Sequence, residues 1–306
     1  LYAGVFASEV VVAQDSPAQR VAVLGAGVMG TGIAALAIGR GCPVTLVDSD
    51  PAVIDGAAAR VRRELRLGQL VGALPRDRKP AELATATSIA DIAGAAVVVE
   101  AVTEVAELKA KVLLDAAATV AADTPLVTNT SSIPVDELAE ALPRPENLLG
   151  VHFMNPAYLI KTVEVVRGAR TGDAALAAVS ALLDRLGRTG VPVHDGPGFV
   201  TSRVLHRMIN DAARLVQEGR ADASAVDALM EGCLGHPTGP LRTADLIGID
   251  NLVDSLRVLH ERTGDEGCRP CDLLLRKVSA GELGRKSGRG FYEYTAAESA
   301  APAGLR

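Results

Sequence analysis

An imidazole and a carboxylate, His152 and Glu164, lie in two short β-prone runs, Leu148 to Phe153 and Thr162 to Val166. A turn-forming Asn155-Pro156 separates the runs. If the strands pair, the carboxylate reaches the imidazole, holds one ring tautomer and stabilises the imidazolium that forms when the ring takes a proton. Upstream, Gly25-Ala26-Gly27-Val28-Met29-Gly30 spells a glycine-rich dinucleotide turn. A cofactor turn followed by a proton acceptor suits a dehydrogenase. Loss of hydride leaves a carbonyl, so the hydroxyl proton must depart at nearly the same time.

The glycine turn has the context its chemistry needs. An apolar run, Arg20 to Leu24, precedes it, and Gly30 to Arg40 carries Ala and Ile at helical spacing. Gly25 permits the tight turn, Gly27 lets backbone approach pyrophosphate, and Gly30 lets helix pack on strand. The phosphates then lie at the positive end of the helix. Val28 and Met29 complete the turn, Met29 as a packing or pocket residue. Asp48 ends a second strand, Pro43 to Val47, roughly twenty residues on, where an acid accepts hydrogen bonds from the adenosine ribose. It would repel a 2′-phosphate, and Ser49-Asp50-Pro51 supplies no Arg to take one, so NAD is expected over NADP. The bland alternative is a nucleotide-free scaffold with Asp48 as a turn residue.

The first half alternates strands and helices, with further buried strands at Val97 to Glu100 and Leu126 to Thr128 and a helical stretch, Glu104 to Ala122, between them. That alternation predicts a parallel sheet with helices on both faces. After Gly196-Pro197-Gly198 the character changes: Phe199 to Glu218, Ala223 to Leu234, Thr243 to Glu261 and Pro270 to Gly281 read as helices. The expected layout is an extension over residues 1–19, a cofactor domain over 20–196, a helical domain over 197–295 and a flexible tail over 296–306.

The chain has 306 residues, 48% of them hydrophobic, enough for two sizeable cores. A net charge of −6 argues against general affinity for nucleic acid or anionic membranes. No stretch approaches the roughly 20 apolar residues that span a bilayer. Leu1 to Ala13 is apolar but lacks a cationic flank and is interrupted by Glu9, so it does not read as a signal peptide. Cys42, Cys233, Cys268 and Cys271 form no disulfide framework, which suggests a reducing, cytoplasmic setting. Cys268 and Cys271 are a single Cys-x-x-Cys without further spaced ligands, so no metal is expected.

Taken in order, several stretches resemble the L-3-hydroxyacyl-CoA dehydrogenase family. They are the glycine turn, Val98-Val99-Glu100-Ala101, Asn129-Thr130-Ser131-Ser132, His152-Phe153-Met154-Asn155-Pro156 and Val163-Glu164-Val165-Val166. Gly196-Pro197-Gly198-Phe199-Val200, His236-Pro237-Thr238-Gly239-Pro240 and Gly284-Arg285-Lys286-Ser287-Gly288-Arg289-Gly290-Phe291-Tyr292 continue the series. The resemblance implies an α/β Rossmann-type parallel sheet domain followed by an all-α helical dimerisation domain, with the active site in the cleft between them and a homodimer as the assembly. It implies His152 as the general base for the 3-hydroxyl, Glu164 as its orienting carboxylate and Ser131 as a donor to the reacting oxygen. Asn155 would line the nicotinamide pocket, and Glu104, Lys109 and Lys286 would contact the cofactor. Ser131 has a structural alternative, capping a helix that starts near Pro134.

The family typically carries Asn where this chain has Ser202. Ser is shorter and leaves room for a polar substituent on the substrate, such as a 2-hydroxyl, so Ser202 is a candidate substrate contact. Arg60, Arg62, Arg63 and Arg66 form a basic stripe, followed by Arg76, Arg78 and Lys79. The stripe suits CoA phosphates or the acidic surface of an acyl carrier protein, although a solvated helix face reads the same.

The favoured reading is an NAD-dependent dehydrogenase for a small polar 3-hydroxyacyl group, such as glyceryl, on an acyl carrier protein in polyketide extender-unit synthesis. Within the family, antibiotic-cluster dehydrogenases look similar around Leu241-Arg242-Thr243-Ala244-Asp245-Leu246 and Leu283-Gly284-Arg285-Lys286. One alternative is a short-chain 3-hydroxyacyl-CoA such as 3-hydroxybutyryl-CoA, as in fatty acid metabolism. Another is a free hydroxy-acid or sugar-acid dehydrogenase, which needs a carboxylate-binding Arg such as Arg203 in the cleft. A non-enzymatic NAD-binding module is opposed by the presence of both His152 and Glu164.

Overall fold

Val-rich runs buried along their whole length build the centre of one sheet, as strands covered on both faces must be. The computed structural model describes residues 19–300. Its strands are Val21–Leu24 (β1), Val44–Val47 (β2), Leu83–Ala86 (β3), Val97–Glu100 (β4), Leu126–Thr128 (β5), Leu148–His152 (β6), Thr162–Arg167 (β7) and Thr189–His194 (β8). They lie in the order β3-β2-β1-β4-β5-β6-β7-β8. Neighbours are parallel except β6 and β7, whose antiparallel register sets His152 directly opposite Glu164.

Helices Val28–Gly39 (α1), Pro51–Leu70 (α2), Ala106–Thr119 (α3), Val135–Ala139 (α4) and Asp173–Leu186 (α5) cover the sheet. Alternate strand residues feed two cores. Val21 and Val23 pack with Ile33, Leu36, Val61 and Leu183 on one face. Ala22 and Leu24 pack with Leu113, Leu138 and Phe199 on the other. Phe199 comes from the start of the helical domain, so the second core already joins the two domains.

Thr201–Gln217 (α6), Ala223–Leu234 (α7), Pro240–Ile247 (α8), Ile249–Thr263 (α9), Asp272–Ser279 (α10) and Ala296–Ala300 (α11) follow. Ile209, Leu241, Leu252, Leu256 and Leu274 form a third core. Glu137 of α4 pairs with Arg262 of α9, a second tie between the domains.

Five features differ from the sequence expectation. β3 and β8 are edge-side strands of low β-propensity: Leu-Ala-Thr-Ala, and a run holding Gly190 and Pro192. α5 is an additional helix between β7 and β8. The helix expected over Thr243 to Glu261 is two, because Gly248 adopts a φ of 96° between α8 and α9. The tail begins as a helix rather than frayed chain, with Thr295 and Glu298 hydrogen-bonding each other in a capping box. Residues 1–18 of the expected extension, and 301–306 of the tail, lie outside the described residues.

Candidate active site

His152 ends β6 and Glu164 faces it from β7. Glu164 Oε2 lies 2.8 Å from His152 Nδ1, both side chains being buried. That contact leaves Nε2 as the nitrogen able to take a substrate proton. The carboxylate is further held by α6: the Thr201 hydroxyl donates to Oε2 at 2.6 Å, and the N–H groups of Val200 and Thr201 donate to Oε1 at 2.9 Å each. Burial alone would raise the Glu164 pKa. The hydrogen bonds from His152, Thr201 and Val200 outweigh it and bring the group down to about 2. Phe199 and His152 pack edge to face, with ring centroids 6.1 Å apart.

The loop after β5 supplies hydroxyls, and Glu104 organises it. Glu104 Oε1 accepts from the Thr130, Ser131 and Ser132 hydroxyls at 2.6, 3.3 and 3.0 Å and from the Ser131 and Ser132 N–H groups at 2.9 and 3.1 Å. Burial raises the Glu104 pKa, but the Lys109 ammonium and the Thr130 and Ser131 hydrogen bonds carry it below the usual range. Ser131 does not cap α4. Asp195 does, accepting from Val135 and Asp136 N–H at 2.9 and 2.8 Å. Asn129 holds β6 in place by accepting from the Phe153 N–H at 2.9 Å.

Lys109 is set back from the role expected of it. Its side chain is 1% exposed, and its ammonium donates to Glu100 at 2.8 Å, Glu104 at 3.1 Å and the Val102 carbonyl at 3.2 Å. All three N–H donors of an ammonium are thereby engaged. Lys109 supports Glu104 and leaves no donor for a cofactor in this structure. Lys286, on a 3-10 turn at Arg285–Ser287, is paired with Asp250 of α9 at 2.6 Å, and the described residues give it no partner on the glycine turn. Asn155 is exposed at the turn after β6.

The glycine turn fits the dinucleotide. A Cβ on Gly25 would lie 2.6 Å from the Ala101 carbonyl oxygen, and one on Gly30 would lie 1.8 Å from the Gly25 oxygen, whereas Gly27 faces open space. Gly27 is therefore free of packing duty and can admit a close ligand. No side chain caps the start of α1, leaving its N–H groups for pyrophosphate. Asp48 accepts from Ala26 N–H at 2.8 Å through one oxygen and from Asp50 N–H at 3.0 Å through the other. A carboxylate keeps lone pairs beyond these two for ribose hydroxyls. Val28 is exposed beside the turn and Met29 packs on the core.

Three residues that pack around these groups were not singled out from sequence. Glu100, fully buried, receives Lys109 and the Thr128 hydroxyl; an acid ending a Val-Val-Val strand was the available signal. Thr201 and His206 gave none, because only the α6 docking geometry brings them to the pair. Cys268 and Cys271 are buried among the helical domain's apolar residues, and burial pushes both thiols up. Arg203, next to Ser202 on α6, is exposed and lines a surface groove with Arg207 and Asp211.

A tautomer-fixed imidazole at the end of β6, on the same sheet whose β1 leads into a dinucleotide turn, defines the class, an NAD-dependent oxidoreductase acting on CH–OH groups. Residues 20–196 match the NAD binding domain of 3-hydroxyacyl-CoA dehydrogenase, and residues 198–294 match its C-terminal domain. The chain belongs to the 3-hydroxyacyl-CoA dehydrogenase family. It is 38% identical over 279 residues to a protein of Bacillus subtilis named "Probable 3-hydroxybutyryl-CoA dehydrogenase", covering 90% of this chain and 97% of that one. Among solved structures it is similar to FadB2 of M. tuberculosis, with a TM-score of 0.87 and 36% identity over 92% of this chain and 100% of that one. It is also similar to the (S)-3-hydroxybutyryl-CoA dehydrogenase PaaH1 of Ralstonia eutropha, with a TM-score of 0.82 and 36% identity over 91% of this chain and 100% of that one.

Proposed function

We propose that the enzyme oxidises, reversibly, the hydroxyl of a small 3-hydroxyacyl thioester, with His152 as general base, Glu164 as its orienting partner and Ser131 as a donor to the reacting oxygen. The observation that carries this reading is the buried His152–Glu164 contact, held where the sheet meets the start of α6. When bound, NAD supplies the hydride acceptor. In the forward direction Nε2 takes the hydroxyl proton; in reverse the imidazolium returns it to the developing alkoxide, with Ser131 as a second donor aimed where charge appears. Glu104 shapes the Ser131 loop, and Asn155 lines the nicotinamide side. Lys286 would meet the cofactor only after leaving Asp250.

For the acyl group we favour a polar substrate such as glyceryl on an acyl carrier protein, in the manner of polyketide extender units. Support comes from Ser202, buried at the start of α6, and from the exposed Arg62 and Arg66 on α2. Arg60 of the same stripe donates to the Ala26 and Val53 carbonyls and so belongs to the glycine turn. The alternative, 3-hydroxybutyryl-CoA, draws on the names of the relatives. Turnover of glyceryl carrier protein with NAD, compared with acetoacetyl-CoA and NADH, decides between them; faster turnover of the CoA ester overturns the carrier-protein reading. A free hydroxy acid is disfavoured because Arg203 lies on the outward face of α6.

We also infer a homodimer through the helical domain. An apolar groove along α6 and α7 is lined by Val204, Met208, Leu215, Val226 and Met230, with Val204 65% exposed. Light scattering behind size exclusion checks the mass, and a monomer overturns the assignment.

A further inference from the structure

The buried face of α6 carries two polar side chains one turn apart, Ser202 at 5% and His206 at 7% exposure. Four-residue spacing stacks them on the face that also holds Ile209, Asn210 and Ala213. Asn210 is fully employed: its amide donates to the Gly267 and Arg269 carbonyls and accepts from the Cys271 N–H. His206 is not. Its Nδ1 is sealed from solvent and has no hydrogen-bond partner. A buried polar atom without a partner is costly, and an apolar side chain would fill the same space without that cost.

The position of the ring says what it faces. It is close enough to His152 for the two imidazoles to interact electrostatically, and Thr201, at the start of the same helix, bonds the carboxylate that holds His152. Burial first, and His152 second, hold the His206 pKa down at about 4. The ring is therefore neutral at neutral pH and offers one donor and one acceptor. That pair complements an alcohol, which also gives one hydrogen bond and takes others. An anionic substituent would call for a cation instead.

We propose that Ser202 and His206 form a polar acyl subsite, in which His206 hydrogen-bonds a hydroxyl on the carbon between the thioester and the reacting carbinol. His206 is then the residue that selects a 2,3-dihydroxyacyl thioester over a plain 3-hydroxyacyl one. This rests on the polar-acyl reading above. Against a plain chain the imidazole is enclosed without a partner, and sites of this kind reject the analogue that lacks the hydroxyl.

The full-length enzyme is assayed by NADH absorbance with 2,3-dihydroxybutyryl-CoA, 3,4-dihydroxybutyryl-CoA and 3-hydroxybutyryl-CoA. The wild type should favour the 2,3-diol over the plain ester by at least about 10-fold in kcat/KM. His206→Met should lower kcat/KM for the 2,3-diol and raise it for the plain ester, shifting the ratio on the order of 100-fold. His206→Gln, which keeps a donor and an acceptor, should retain part of the preference; this holds the test open if the Met variant does not fold. Calorimetric affinities of the acyl-CoA esters, measured without NAD, should follow the same order. A parallel loss on all three esters in His206→Met, or an unchanged ratio, overturns the His206 assignment while the polar-acyl reading stands. A crossover confined to the 3,4-diol overturns the assigned carbon. A wild type that prefers the plain ester overturns the polar-acyl reading itself.

Discussion

Glu164 meets His152 across the antiparallel seam of the sheet, and its other oxygen receives the first backbone N–H groups of α6. One anion thus serves both the base and the docking of the helical domain. Removing its charge should cost activity and stability together. Glu164→Gln should lower kcat by about 10²–10⁴-fold with KM changed only a few-fold, the pattern of an interaction realised in the transition state. Steady-state NADH kinetics and thermal melts check both halves. A variant with full kcat would remove Glu164 from the proton-transfer machinery.

Cofactor choice should depend on Asp48. Asp48→Asn keeps an acceptor for Ala26 but loses the charge proposed to meet the ribose. It should weaken NAD by about 10-fold, equivalent to about 1.4 kcal/mol, while narrowing the discrimination against NADP. Isothermal calorimetry with each dinucleotide measures the two affinities; equal losses for both would mean that Asp48 only shapes the turn.

Lys109 and Glu100 are a buried ion pair beneath the site. Lys109→Met leaves the Glu100 carboxylate enclosed without its cation and should destabilise the protein by about 3–5 kcal/mol. Adding Glu100→Gln should restore most of that, since a pair removed whole costs less than a pair broken. Urea unfolding of the single and double variants gives the comparison.

Acid should weaken the fold in two stages. His206 has a folded pKa of about 4, below its ordinary 6.5, so the unfolded chain binds the extra proton first. Its contribution is complete above about 6.5 and is lost as pH falls toward 4. Glu164, at about 2 against an ordinary 4.5, loses its contribution as pH falls from 4.5 toward 2. Melting temperatures should therefore decline from pH 6.5 downward, and His206→Met should flatten the upper part of that decline. An identical slope in the variant would contradict the burial of a neutral ring.

The glycine turn, Asp48, and the facing of His152 and Glu164 were legible because each rests on local spacing or on the period of a strand. The sheet edges were not. β3 and β8 lack β-branched alternation and are held by their neighbours' ladders. Gly248 resembles any mid-helix glycine until its positive φ is seen. Lys109 was expected at the cofactor by family resemblance alone, and a resemblance does not show which donors Glu100 and Glu104 already take. Thr201 and His206 depend on how α6 docks, a relation between distant segments that no window of sequence contains.

A serine hydroxyl carries a single proton, and here Ser131 offers it to Glu104 over 3.3 Å, while backbone N–H groups anchor the same loop to the same oxygen more tightly. An arriving substrate oxygen therefore competes for only the slackest strand of that knot. The hydroxyl can swing away to the ligand without dismantling its mooring, so the donor is recruited on demand from a loop whose shape is already cast.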